Sequence, residues 1–482
     1  MQNVEENKLQ LDTHTAVAYH WRVWQLTGLI RPSGIPKRLY RSYSIGLNLL
    51  VTLLFPLSLL ARLILTRSMK EMCENLTITI TDMAANLKFG NVYLVRHHLR
   101  EIRTLIQQLD RRAQVIGDRE ELRALDWAVT TARNTFRTFA WIFVCGTTLS
   151  CVRVALARSR QLLYPAWFGI DWRSSDEAYV GIYAYQLFAL IVQAVQNCAN
   201  DSYPPAYLCL LTGHMRALEL RVGRIGRGCD CDCLNDRQSY AQLLGCIQDL
   251  TLIHRMHTII QEILSVPCMA QFACSVAVQC TVAMHFLYVA DADDRLAMIL
   301  SVIFFVAVTL EVFVICYFGD QMRTQSEALC HAFYACNWVE QQLPRFRRDL
   351  LFTLARAQRP SLILAGSYIP LTLETFKEVR TAPSLPFGGV SDSRSRSLKF
   401  SHLKGHAFRL LRLYAAAESQ VRRMCTNQET EGLKEKRAQI CSHSCTICIL
   451  YASFYLFIYL QTSSPQGGSL SLSSACLFER GE

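Results

Sequence analysis

Long uncharged apolar runs recur along the chain. Ser42–Ala61 is twenty uncharged residues between Arg41 and Arg62. At ~1.5 Å of rise per residue, a helix of that length crosses the ~30 Å hydrocarbon core of a bilayer. Ala178–Asn200 is uncharged for 23 residues and Ile263–Ala290 for 28. Thr138–Ala157 carries only Arg153, Leu296–Gly319 only Glu311, and Met72–Val95 holds both Asp82 and Lys88. The pattern predicts six membrane helices, at about 42–61, 72–95, 138–157, 178–200, 263–290 and 296–319. The last two are joined by the short connection Asp291–Arg295. The expected fold class is an all-α polytopic membrane protein. Two further stretches read as amphipathic helices packed on the ends of the spans. In His97–Ala113, Leu99, Ile102, Ile106 and Leu109 share one face; in Arg345–Arg359, Phe346, Leu350 and Leu354 do so between Pro344 and Pro360.

Composition sharpens this picture. Of 482 residues, 51% are hydrophobic and 18% charged, against about 25% charged in a soluble domain. The mean hydropathy is +0.16. Disorder, a collagen repeat and a small disulfide scaffold are excluded. The net charge of +11 would suggest nucleic acid in a soluble protein, but its distribution follows the spans instead, so no nucleic-acid partner is expected. Lys and Arg number six before the first span, nine across 96–137, six across 201–262 and six across 320–359, or 27 on one side. The other side has 8. The basic side faces the cytosol, which puts the N-terminus (1–41) inside, opposite to a G-protein-coupled receptor. Residues 1–38 hold no apolar run behind a basic start, so no secretory signal is expected there.

Chemistry-bearing motifs are few. There is no Gly-rich phosphate loop, nucleophile elbow or His-Glu-x-x-His pattern, so neither enzymatic activity nor a cofactor is expected. Most of the twenty cysteines, Cys145, Cys268 and Cys316 among them, lie in apolar runs as small hydrophobes. The alternation Cys229–Cys233 and the group Cys441, His443, Cys445 and Cys448 lack the paired spacing of a zinc site in a suitable context, and no metal is expected. Asp82, Lys88 and Glu311 are intramembrane charges and therefore functional candidates; the competing reading is that they pair across helices. Asp82 and Lys88 are six apart and do not share a helical face. Asn75-Leu76-Thr77 is a glycosylation triplet placed outside, whereas Asn200-Asp201-Ser202 falls inside, out of reach. A transporter would show inverted repeats or broken helix pairs, and none is seen.

Several stretches carry a family resemblance: His20–Thr27 (HWRVWQLT), Cys73–Asp82 (CENLTITITD), Leu162–Asp171 (LLYPAWFGID), Asp201–Leu220 (DSYPPAYLCLLTGHMRALEL), Val314–Leu329 (VICYFGDQMRTQSEAL) and Leu371–Phe376 (LTLETF). Over residues 1–379 the chain resembles an insect odorant receptor. The resemblance implies a seven-transmembrane-helix subunit with an intracellular N-terminus. It implies an odorant-gated, non-selective cation channel, assembled as a heterotetramer with the olfactory co-receptor in the plasma membrane of olfactory sensory neurons. It places a volatile ligand in the outer half of the bundle, between the second, third, fourth and sixth helices, and the pore on the last. Residues 320–379 would then be the cytoplasmic anchor and the start of the seventh helix. A mostly apolar chamber suits a small odorant. Within those helices Met83, Leu87, Phe143, Thr147, Tyr185 and Phe188 are the ligand-binding candidates, by their aromatic, sulfur or hydroxyl groups. Ordinary helix packing is the competing reading for each.

The resemblance stops abruptly at 380. The chain reads Lys377-Glu378-Val379-Arg380, and then Pro383, Pro386 and Gly388-Gly389 interrupt any helix. Residues 380–437 hold twelve Lys and Arg against five acids, on a side where the family's last helix faces outward. Thr446–Leu460 is a 15-residue apolar run that could substitute as a span. So sharp a switch is what translated non-coding sequence or a misjoined exon produces. A metabotropic chemoreceptor, and a product made non-functional by the replaced helix, are the alternative readings.

Overall fold

Helices account for nearly all of the regular structure. The computed structural model describes residues 11–66, 69–156, 160–173, 175–226, 232–290 and 295–381. These all belong to the first of two units, Met1–Gly389 and Val390–Glu482. The apolar run 446–460, the cysteine group at 441–448, the breaks at 383–389 and the start of the Cys229–Cys233 alternation lie outside the described residues.

A 3₁₀ turn, Thr13–Val17, leads into α1 (Ala18–Leu26). The first apolar run is α2 (Lys37–Asn48), a π-helical segment Leu49–Leu54, and α3 (Phe55–Leu65). Four long helices follow: α4 (Met69–Ile116), α5 (Arg119–Leu156), α6 (Asp176–Val222) and α7 (Asp232–Ala290). Then come α8 (Arg295–Ala335), α9 (Pro344–Ala357), a two-stranded hairpin of β1 (Leu364–Ala365) and β2 (Ile369–Pro370), and α10 (Leu373–Thr381). The expected spans fall on these helices, save that Ala157, the end of the third, lies outside the described residues. Among the described residues, five helical stretches are long and apolar enough to cross a membrane: Lys37–Leu65, Arg119–Leu156, Asp176–Val222, Asp236–Val282 and Val302–Ala335. Helix α4 is less apolar because Asn75, Thr77, Thr79, Asp82 and Lys88 sit along it, all of them buried against neighbouring helices.

Helix α4 differs from expectation in one respect. The stripe His97–Ala113 is not a separate helix but the second half of α4. Between Val95 and His97 only Arg96 intervenes, with neither Pro nor Gly to end the turn. Leu99, Ile102, Ile106 and Leu109 are buried as the stripe requires. Helix α6 likewise runs unbroken through Pro204 and Pro205. There Ser202–Met215 is buried on every face, so tertiary packing outweighs two missing backbone donors.

The main packing pairs are α5 with α6 and α4 with α7, with α8 lying on α6 and α7. Helices α5 and α6 approach closely at Gly213, where a Cβ would meet Ala128 Cβ at 2.5 Å. Gly319 of α8 allows the same against Leu371, whose carbonyl oxygen any Cβ would strike. At one end of the bundle an ionic cluster ties four helices. Arg221 pairs with Glu121 at 2.6 Å and with Asp249, Arg224 pairs with Glu121 and with Asp118 at 2.8 Å, and Arg112 reaches Asp249 at 2.5 Å.

The N-terminal stretch is docked on this bundle. Asp110 accepts from the Thr13 backbone N–H at 2.8 Å and the Thr13 hydroxyl at 3.0 Å. His20 Nε2 lies 2.9 Å from Ser202 Oγ. Trp24, fully buried, stacks edge-on to Tyr203 with centroids 5.6 Å apart.

Candidate functional site

Burying a charge is costly unless it is paired, so the charges inside the apolar helices mark where polar function concentrates. Lys88 of α4 is paired with Asp201 of α6, and the two side chains are only 8% and 7% exposed. Glu311 of α8 accepts a hydrogen bond from Gln271 Nε2 of α7 at 2.5 Å, and Gln271 also donates to Ser275 Oγ at 3.2 Å. All five residues line one cavity of about 30 Å³. Thr81 and Asn197 add polar surface to it, and Ala84, Phe143, Val278 and Val308 are among its apolar lining. Five helices, α4 to α8, thus converge on a small chamber in which charged and apolar side chains are interspersed. By volume it holds about two water molecules.

Asp82 takes no part in this chamber's ion pair. It lies one turn and a half from Lys88 on α4 and accepts from Asn86 Nδ2 at a long 3.5 Å. The sequence shows three intramembrane charges but not their partners. Lys88 pairs across 113 positions, and Asp201 sits at the boundary of an apolar run, where it reads as the first residue of a loop.

The six ligand candidates fall in different places. Phe143 lines the cavity. Thr147, one turn further along α5, and Leu87, next to Lys88 on α4, are half-buried. Tyr185 is engaged away from the cavity, where its hydroxyl donates to the Leu50 carbonyl at 2.7 Å and its ring meets Phe168 edge-on at 5.8 Å. Met83 and Phe188 are 52% and 47% exposed on the outside of the bundle and do not line the cavity. Periodicity alone assigns no direction within an apolar helix, because inner and outer faces are both hydrophobic. Asn75 is 0% exposed. Its amide donates to the Leu59 carbonyl at 3.2 Å and its oxygen accepts from Thr79 at 3.0 Å. In the folded chain it is a bridge between α3 and α4. Among the described residues no group of His, Cys, Asp or Glu could hold a metal ion.

Within the π-helical segment, three consecutive carbonyls accept from side chains of other helices. Leu50 receives Tyr185, Val51 receives Gln193 at 3.4 Å, and Thr52 receives Asn86 at 3.3 Å. The looser turn of a π-helix frees backbone acceptors, and α4 and α6 supply the donors. None of this is visible in the leucine-rich run Leu47–Leu54.

Comparison with known proteins agrees with this geometry. A family profile described as 7tm odorant receptor matches residues 68–382. Odorant receptor 2a of Drosophila melanogaster is 65% identical over 383 residues, covering 78% of this chain and 96% of that one. Odorant receptor 19a of the same species is 29% identical over 371 residues, covering 76% and 93%. Among solved structures, the insect olfactory receptor OR5 from Machilis hrabei matches with a TM-score of 0.64 at 16% identity, over 76% of this chain and 95% of that one. At that identity the likeness speaks to the fold alone. The family consists of multi-pass membrane receptors, not enzymes. A profile match over most of the chain, a relative matched almost end to end and a shared fold lead to one conclusion: this chain belongs to the 7tm odorant receptor family.

Proposed function

We propose that this chain is an odorant receptor subunit that binds a volatile organic molecule within its helix bundle. Binding gates a non-selective cation channel formed with the olfactory co-receptor as a heterotetramer. The observation that carries this reading is the 65% identity to Odorant receptor 2a, which spans 96% of that receptor. Five helices, α4 to α8, also enclose a small polar chamber within the bundle. A ligand opens the pore only as far as it binds the open state more tightly than the closed one, and a chamber bounded by five helices is suited to sense their relative positions.

The subunit sits in the plasma membrane of olfactory sensory neurons with residues 1–41 in the cytosol, a placement supported by the 27 to 8 distribution of Lys and Arg. Residues 320–379 form the cytoplasmic anchor and the start of the last helix. The test is whole-cell recording from cells expressing this chain with the co-receptor, each alone as control. Odorant-evoked cation current that requires both chains is expected. Evoked current that needs only G-protein signalling would contradict the reading.

A second reading, a subunit unable to conduct, is favoured by one observation. The family match ends at 382, and the next stretch is basic and interrupted by Pro and Gly. Recording the same chain with an ordinary final helix in place of 380–482 separates the two. Current only from the repaired chain would assign the damage to that segment.

A further inference from the structure

A basic surface without acidic partners stands where the first two apolar runs reach the same end of the bundle. Arg41 directly precedes the run Ser42–Ala61, and Arg96 directly follows Met72–Val95. The two runs are antiparallel: Asn75 of α4 donates to the Leu59 carbonyl and Asn86 to that of Thr52. Carried on, that register brings Arg41 level with Arg96, and Arg41 lies within electrostatic reach of the Tyr93 hydroxyl. The Arg96 guanidinium is held over the Tyr93 ring, 4.1 Å from its centroid. Lys37, Arg38 and Arg100 extend the patch, and all three are exposed. Lys37 and Arg41 are four apart, as are Arg96 and Arg100, so each pair shares a helical face where like charges repel. Lys37 and Arg38 also stand in the first turn of α2, which holds no acid and no side-chain cap. They therefore add positive charge to the positive end of the helix dipole. Among the described residues none of these cations forms an ion pair. Such a cluster calls for an anion.

Its neighbours say which kind. Leu39, Tyr93 and Leu94 flank the cations and are 65%, 50% and 71% exposed. A soluble polyanion needs the cations alone, whereas an apolar and aromatic band beside them suits an occupant with acyl chains. We propose that Arg41 and Arg96, backed by Lys37, Arg38 and Arg100, bind the phosphate-bearing headgroup of an anionic phospholipid. The acyl chains lie along Leu39 and Leu94. That the lipid belongs to the cytosolic leaflet rests on the proposed orientation of the chain; the site itself does not.

The test is thermal stabilisation of the solubilised full chain by phosphatidylinositol bisphosphate, with phosphatidylcholine as the neutral lipid and inositol trisphosphate as a headgroup without acyl chains. The anionic lipid is expected to half-stabilise the wild-type chain at a concentration ~10-fold or more below that of either control. Each Lys or Arg at such a surface is worth about a factor of five in binding. Arg41→Gln with Arg96→Gln should therefore weaken the effect about 25-fold. Lys37→Gln with Arg38→Gln, in the exposed first turn of α2, should do the same and serves if the first pair unfolds the chain. Arg119→Gln with Arg123→Gln, exposed at the start of α5, removes equal charge elsewhere and should leave the effect unchanged. An equal loss in the α5 pair would reduce the effect to net charge and overturn the inference. So would stabilisation by phosphatidylcholine at the same concentration as the anionic lipid. Stabilisation by inositol trisphosphate as strong as by the lipid would assign the patch to a free phosphate and overturn the lipid as its occupant. Micelles offer lipid to both ends of the bundle, so a reversed topology would change the leaflet and not this result.

Discussion

Lys88 and Asp201 stand 113 positions apart and form an ion pair among apolar helices. Removing one partner of such a pair leaves an uncompensated charge, at a cost of about 3–5 kcal/mol. Lys88→Met is therefore expected to lower the thermal midpoint of the solubilised receptor more than Lys88→Met with Asp201→Asn. The reverse ranking would mean that the pair is not coupled. Asn75 gives a second expectation. Because its amide bridges Leu59 and Thr79, glycosidase treatment of the expressed chain should leave its gel mobility unchanged at that position. Asn75→Ala should cost about 1–3 kcal/mol by leaving buried groups unsatisfied. A mobility shift abolished by that substitution would show a glycan there. At this scale the sequence is legible only in part. Charges inside apolar runs announce themselves, but which of them meet depends on long-range packing, and the outward direction of Met83 and Phe188 cannot be read from runs apolar on all sides.

Element by element, the uncharged runs locate the helices because twenty apolar residues leave few alternatives to a buried or lipid-facing helix. Their true lengths are hidden. Helices α4 and α6 extend far past the membrane-length segments, and the stripe at Leu99–Leu109 marks a packed face rather than a separate element. The docked N-terminal helix has no clear signature in the sequence; its anchors, Trp24 and His20, look like isolated residues until α6 supplies Tyr203 and Ser202. Trp24→Ala should cost about 3–5 kcal/mol of local packing, read as faster proteolysis within 13–30. The same docking should depend on pH. Burial holds His20 down to about 3 and His14 down to about 4, against ~6.5 in the unfolded chain. The docked state then binds fewer protons, so its stability is complete above about 6.5 and is lost as pH falls toward 4. Asp110 opposes this, since burial raises it to about 7 and its cost grows from about 4 upward. Two histidines against one carboxyl leave a net loosening on acidification. Proteolysis of the N-terminal stretch should be faster at about pH 5 than at about pH 7. Equal or slower cleavage at the lower pH would contradict that balance.

Across the whole molecule, hydropathy marks a helical bundle and charge asymmetry supports the proposed direction, while five helices closing on one polar chamber emerge only in three dimensions. The direction predicts that an N-terminal tag stays unlabelled on intact cells and becomes labelled after permeabilisation. Labelling without permeabilisation would reverse the topology. The ligand site itself is most directly tested by photo-crosslinking, using an odorant that evokes current and carries a diazirine, with and without excess of the unmodified odorant. Bound within the bundle, it should label peptides around Thr81–Lys88, Phe143 and Val308, and the free odorant should suppress that labelling. Labelling confined to the outer faces that carry Met83 and Phe188, indifferent to competitor, would contradict a ligand chamber between α4 and α8.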